Sequence, residues 1–383
     1  MVENHYPRED ELTDLQKQKI AEVKRKCEDV SWRYPEYLTD FTILRWLMGW
    51  DYDVDVIIPK IGHAIKTLFN LKCHKMPMKS PEEINSYGRT LSPMAEYFPG
   101  GIMSQDREGN VVYVHCVGKV SPKTIVKGGP TSMLFKSCII EGELAIKLVR
   151  EAEAKNKRKL GCKVIVDMEG FSMDHLYMPA AKIYLALATL LQDLFADFGR
   201  VVYIINQPSI MSAAFAVISP VLSNNLKEKI KFLGNDWKEI ICNDIGPENV
   251  YPQWGGTKTV GRPDTYLRMG GDVPERLWYN PDANPDEKKL KKLSVNARSK
   301  GVVRMDGKKG KQFKWLFRVS SGDIDFSIEF DERTVYPVFR CTTDFHPEMD
   351  SFLCEYDGLY TFVFDNSHGL VFGKEIKHCI ELI

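Results

Sequence analysis

Four short runs rich in β-branched and aromatic residues, VVYVHC, KVIVDM, RVVYIIN and KIKFL, occupy 111–116, 163–168, 200–206 and 229–233. Long helical patterns at 131–155, 178–197 and 209–222 lie between them. Parallel strands cannot be joined by a tight hairpin and need a crossover of this length. The alternation therefore predicts βαβ units, hence an α/β domain with a mostly parallel sheet covered by helices.

The flanks read differently. Residues 10 to 75 are helical in pattern: Phe41, Leu44 and Met48, with Ile43 and Leu47, follow Thr39 and Asp40, either of which can cap. Asp53 offers a second cap before Val54, Ile57, Ile58, Ile61, Ile65, Leu68 and Phe69, and Pro59 should kink that segment or mark its first turns. Asn235 is placed to cap a last helix, DWKEIICND. Beyond a Pro/Gly-rich linker at roughly 258 to 285, QFKWLFRVSSGDIDFSIEF alternates cleanly. Phe313, Trp315, Phe317 and Val319 point one way, as do Ile324, Phe326, Ile328 and Phe330 after the SSGD turn. An all-β sandwich is expected there. The division is a helical module at 1–75, an α/β domain at 76–258 and a sandwich at 275–383.

Composition narrows the function classes. The 52 basic residues balance 52 acidic ones, so the whole chain has no field to steer it to nucleic acid or membranes. Nine cysteines without a C-x-x-C pair read as buried thiols of a reducing compartment. The polar, acidic start MVENHYPREDELTDLQ is unlike a secretory signal, and the apolar stretch Ile183 to Leu191 is half the length that spans a bilayer. A cytoplasmic protein is expected. G-x-S-x-G, H-E-x-x-H and G-x-G-x-x-G are absent, and the pattern from Gly301 to Lys309 fails the phosphate-loop spacing. His115 reads as a core or pocket-wall residue, and Asp167 with Glu169 as a solvated loop or a helix cap. No catalytic constellation, metal site or cofactor is expected.

PSIMSAAFAVISPVL, residues 208 to 222, contains no charge. Ile210, Met211, Phe215, Val217, Ile218 and Leu222, with Ala214 and Val221, cover most of its circumference. A surface helix keeps a polar face. This one is either a buried core helix or a helix with one side on a lipid pocket and the other free to meet a bilayer.

DFTILRWLMGWDYDVDVIIPKI resembles the helical N-terminal module of the CRAL-TRIO lipid-binding family. KVIVDMEGFSM, then VVYIINQPSIMSAAFAVISPVLSNNLKEKIKFLG and VYPQWGG, resemble its lipid-binding domain in order and spacing. YDGLYTFVFDNSHG resembles the GOLD domain, which joins CRAL-TRIO in the group of supernatant protein factor and tocopherol-associated protein. The resemblance implies a pocket walled by the sheet and closed by a mobile gate helix, here Ser209 to Leu222. It also implies a transient membrane contact, at Golgi or endoplasmic reticulum, and a protein partner for the GOLD domain.

Relatives that bind phosphatidylinositol use a Ser and a Thr where this chain has Cys162 and Val164, and a Thr and a Lys where it has Leu226 and Lys229. Their acidic residue corresponds to Asp197. Of the three tyrosines that serve phosphatidylcholine, Tyr113 matches, while Ile102 and Gly142 take the other places. A buried phosphate without partners costs several kcal/mol. The expected cargo is thus a weakly polar or neutral lipid, such as an isoprenoid, a tocopherol-like molecule or a long-chain alcohol. Lys229 and Asp197 either serve a phospholipid or pair with each other.

Residues 286 to 314 hold nine Lys and two Arg against three acids. They are expected to be a solvated linker and helix face, with attraction to anionic membrane as the functional alternative. Phe313 is the single aromatic residue among these lysines, which argues against nucleic acid.

Overall fold

The computed structural model describes residues 4–259 and 267–383, so the middle of the expected linker lies outside the described residues. The chain divides into two compact units. The first comprises Met1–Leu91, Ala95–Ser121 and Cys138–Gly271; the second comprises Ser92–Met94, Pro122–Ser137 and Asp272–Ile383.

The first unit opens with α1 (Asp14–Lys26), α2 (Glu28–Ser31), α3 (Asp40–Gly49), α4 (Val54–Asn70) and α5 (Pro81–Thr90). Thr39, not Asp40, caps α3 by accepting from the Thr42 amide. Asp53 caps α4 by accepting from the amides of Asp55 and Val56. Pro59 is the sixth residue of α4, past its first turn and on its exposed side, and the helix continues beyond it to Asn70. The hydrogen bond that proline forfeits is lost towards water, while Ile57, Ile61, Ile65 and Leu68 bury the opposite stripe.

A five-stranded sheet follows, in the order β1 (Gly101–Gln105), β2 (Val111–His115), β3 (Cys162–Asp167), β4 (Gly199–Ile205) and β5 (Ile230–Phe232). β2 to β5 run parallel; β1 is antiparallel and had no clear signal in the sequence. α6 (Pro122–Gly128) belongs to the second unit, and the crossovers of the first carry α7 (Thr131–Asn156, in this unit from Cys138 on), then α8 (Met178–Leu194), then α9 (Met211–Ile218) with α10 (Asn224–Glu228). Each crossover steps one strand in the same direction, so right-handed connections place these helices on one face. The other face is filled by α11 (Trp237–Ile245) and by Val250, Tyr251, Trp254 and Leu267, packed on Val112, Val114, Ile165, Val201, Tyr203 and Ile205. The cap position of α11 falls to Asp236, one residue past the expected Asn235, and its side chain makes no capping bond.

The second unit is a sandwich of two antiparallel four-stranded sheets, with strand orders β10–β9–β12–β7 and β11–β8–β13–β6. Their ranges are β6 Lys291–Val295, β7 Lys300–Gly307, β8 Gln312–Val319, β9 Asp323–Phe330, β10 Arg333–Thr342, β11 Glu348–Leu353, β12 Gly358–Asp365 and β13 Lys374–Leu382. Phe313, Trp315, Phe317, Val319, Ile324, Phe326 and Ile328 are all buried, as the alternation predicts; Phe330 is half-buried. Edge-to-face pairs such as Phe313–Phe362 at 5.1 Å and Phe317–Phe364 at 5.1 Å lock the two layers. Glu348 is wholly buried against Ser132 in the first turn of α7, and burial pushes its carboxyl up to about 7.

The basic segment is neither linker nor helix face. A short 3-10 turn at Pro285–Lys289 leads into β6, β7 and the start of β8, because Leu293 and Val295 alternate in register with β13. Lys289 pairs with Asp286 and Glu381, Lys292 with Glu375, Lys300 with Asp365 and Lys314 with Asp286. Exposed lysines on the edge strand β6 also discourage edge-to-edge pairing between chains.

Candidate functional site

Side chains alternate across a strand, so each residue of the sheet belongs to one face. Tyr113 and Val164 are paired neighbours on β2 and β3, in a row that continues from Ile102 on β1 to Val202 and Ile230 on β4 and β5. A second row on the same face runs His115, Val166, Ile204, Phe232. No residue of these rows is acidic or basic apart from His115. Tyr113, His115, Val164, Val166, Val202 and Ile230 keep accessible surface in the middle of the sheet. On the opposite face Val112, Val114 and Ile165 keep none.

Of the helices over this face, α7 is well packed, while α8 and α9 are apolar and under-packed. α8 has seventeen residues, of which only Leu187 and Leu194 are buried. Tyr184 of α8 reaches down to the sheet, its hydroxyl 3.4 Å from His115 Nδ1. In α9 no residue is buried. Ile210, Met211, Phe215, Val217, Ile218 and Leu222 are half-buried, and Phe215 meets Phe232 of β5 edge-on at 5.5 Å. The α-helix is shorter than the expected Ser209 to Leu222. Ile210 occupies its N-cap position, and a 3-10 turn at Ser219–Val221 follows it, since Pro220 has no amide to extend the α-helical ladder. Gln192 of α8 fastens that turn: its Nε2 donates to Val221 O at 2.9 Å and its Oε1 accepts from Ser223 N at 3.0 Å. No sequence signal marked this tie, because its partners are 29 and 31 residues away.

The remaining candidates stand outside the two rows, although Cys162, two residues before Val164, is on the same face of β3. Cys162 begins β3, buried, with its thiol pushed up to about 12 by burial. Leu226 lies in α10. Asp197 and Lys229 are joined to each other, and a residue that sequence reasoning missed completes the cluster. Lys159 Nζ donates to Asp197 Oδ2 at 2.9 Å, Lys229 to Oδ1, and Asn225 Nδ2 to Oδ1 at 3.0 Å. Burial opposes ionisation of Asp197, but the two ammonium groups outweigh it and hold the carboxyl below its usual range. Burial draws Lys159 down to about 8 against the pull of Asp197. The N-terminal segment straps this cluster: Lys159 Nζ donates to His5 O at 3.0 Å, and the Tyr6 ring lies 4.8 Å from that ammonium.

Asp167 is not the solvated loop residue expected. It is buried and accepts from Trp254 Nε1 at 3.0 Å, Asn206 Nδ2 at 2.8 Å and the Glu169 amide at 3.0 Å. Three donors hold its two oxygens, so it braces the carboxyl ends of β3 and β4.

The curated protein called Protein real-time of Drosophila melanogaster is 24% identical over 348 residues, 88% of this chain and 50% of that protein. Its namesake in Drosophila pseudoobscura pseudoobscura is 25% identical over 277 residues, 70% of this chain and 39% of the relative. That of Aedes aegypti is 23% identical over 272 residues, 70% and 40%. The chain thus spans half or less of the length of the curated relatives it matches. Among solved structures, the crystal structure of Sfh5 aligns at 12% identity over 69% of this chain and 92% of its own, with a TM-score of 0.48. A family model, that of the CRAL/TRIO domain, matches residues 95–256, from just before β1 to the segment after α11. That match covers the sheet, both apolar rows and the helices above them, so residues 95–256 of this chain are similar to the CRAL/TRIO domain.

Proposed function

We propose that this protein encloses one weakly polar or neutral lipid between the sheet and helices α7 to α9, and presents it to membranes or to lipid-metabolising enzymes. One observation carries the reading: the half-open apolar face running from Tyr113 to Ile230, beneath α8 and α9, of which only Leu187 and Leu194 are buried. A packed interior leaves few such voids. An enclosed acyl or isoprenoid chain would fill this one and gain about 0.8 kcal/mol per CH₂. The Asp197–Lys159–Lys229 cluster argues against a phosphoinositide, since its charges already satisfy one another. Mass spectrometry of lipids that co-purify after exposure to a total lipid extract is expected to find an isoprenoid, tocopherol-like lipid or long-chain alcohol dominant. Phosphatidylinositol as the dominant species would overturn the neutral-lipid assignment.

The reading includes a cytoplasmic protein that visits membranes transiently. α9 is one surface suited to that contact. In the sandwich, the loop between β12 and β13 offers another: Leu370, Val371 and Phe372 are 73%, 74% and 80% exposed. Buried Asn366 holds the loop out, its Nδ2 donating to Asn296 O and Phe372 O, both at 3.1 Å. The backbone of exposed Arg298 donates to the base of the same loop, so a cation stands beside the apolar tip. A convex apolar tip with a cationic flank suits the fluid interface of an anionic bilayer. Leu370→Ser with Phe372→Ser is expected to weaken sedimentation with vesicles containing phosphatidylserine at least tenfold, with an unchanged melting midpoint. Equal sedimentation of variant and parent would exclude the loop.

A further inference from the structure

We propose that His115 and Tyr184 form a subsite for a lipid hydroxyl, so that the enclosed lipid is an alcohol or a phenol. This rests on the lipid-binding reading above and adds to it the chemistry of the ligand's polar end.

His115 is the one titratable nitrogen base in the two apolar rows, and it lies where β2 ends. Its Nδ1 is 3.4 Å from the Tyr184 hydroxyl. Its Nε2 is buried and has no hydrogen-bond partner. The ring packs at 5.4 Å from Phe98 and 5.8 Å from Tyr184, which fixes the direction in which Nε2 points. Buried polar atoms are almost always paired, so an orphan on a face with residual space marks a place where something else supplies the bond.

The chemistry of the partner follows from protonation. Burial first, and the Arg268 guanidinium second, push His115 down to about 4, while burial raises the Tyr184 hydroxyl to about 12. Both groups are neutral at physiological pH. The charge of the neighbouring Arg268 is already paired, Nη2 donating to Glu141 Oε2 at 2.9 Å and Nη1 to Oε1, with only its Nε left without a partner. A carboxylate or phosphate would therefore meet no free cation here and would bear the cost of its own desolvation. A neutral imidazole has one donor and one acceptor nitrogen. Whichever tautomer Tyr184 selects, Nε2 takes the other role. A hydroxyl both donates and accepts, so it satisfies either tautomer; an ether only accepts, and a hydrocarbon does neither.

The test is a competition between geranylgeraniol and the hydrocarbon that lacks its hydroxyl, both offered in vesicles, with bound lipid quantified by mass spectrometry. The wild-type protein is expected to prefer the alcohol about tenfold, the range of one net hydrogen bond. His115→Leu should bring the ratio close to one while the hydrocarbon still binds. Tyr184→Phe, which removes only a hydroxyl and so safeguards the test if the first variant misfolds, should lower the ratio at least threefold. A ratio that survives either substitution in a folded protein overturns the subsite, as does equal binding of the two lipids by the wild type. If the wild type binds neither, the lipid-carrier reading itself falls and the subsite with it.

Discussion

Asp197→Ala is expected to lower the unfolding free energy by about 3 to 5 kcal/mol, the cost of stripping a buried ion pair of one partner. The side chains of Asp197 and Lys159 have no accessible surface, and Lys229 has little. Without the carboxylate, Lys159 keeps only the His5 carbonyl and the face of the Tyr6 ring. Its ammonium, already drawn down to about 8, would fall further and shed its proton nearer neutrality, which places the loss towards the lower end of that range. A drop of this size is a large part of the stability of an ordinary domain. Urea denaturation followed by tryptophan fluorescence measures it. The profile of bound lipid should not change in the variant, because Asp197 lies outside both apolar rows. A stability change under about 1 kcal/mol, together with an altered lipid profile, would return Asp197 to the binding site.

Phe215→Asp is expected to slow vesicle-to-vesicle lipid transfer about 100-fold, as placing an aspartate at membrane depth costs roughly 2.5 to 3.5 kcal/mol. Phe215 lies on α9, where no residue is buried, and its main ring contact is half-exposed Phe232. The substitution therefore removes little packing from the folded state, and the melting midpoint should hold. The barrier rises because a gate that stays in the interface shields the acyl chain from water, and a carboxylate expels it from that interface. Unchanged transfer between fluorescently labelled vesicles would remove α9 from the mechanism.

The sequence by itself determined the strands β2 to β5, the helices between them and the alternation of the sandwich. It did so because those signals are local: a period of 2 or 3.6 is complete within a few residues. The caps at Thr39 and Asp53 were legible for the same reason, since each bonds to an amide two or three residues away. The charge-free run containing Phe215 was equally plain, although its division at Pro220 into an α-helix and a 3-10 turn depended on backbone geometry. β1 escaped notice because GIMSQ is five residues long and follows a glycine, with no alternation to display.

Everything that joins distant residues was decided by the tertiary structure alone. Lys159, Asp197 and Lys229 stand in the loops before three successive strands and meet only because the sheet aligns those ends. Glu141 and Arg268 are separated by 127 residues, and His115 and Tyr184 by 69. A charge is buried stably only when its partner arrives with it, and an imidazole stays neutral only when protein surrounds it. Those conditions are set by packing, so the charge-free run at 208–222 was legible in the sequence while the pairing of His115 with Tyr184 waited on the folded sheet.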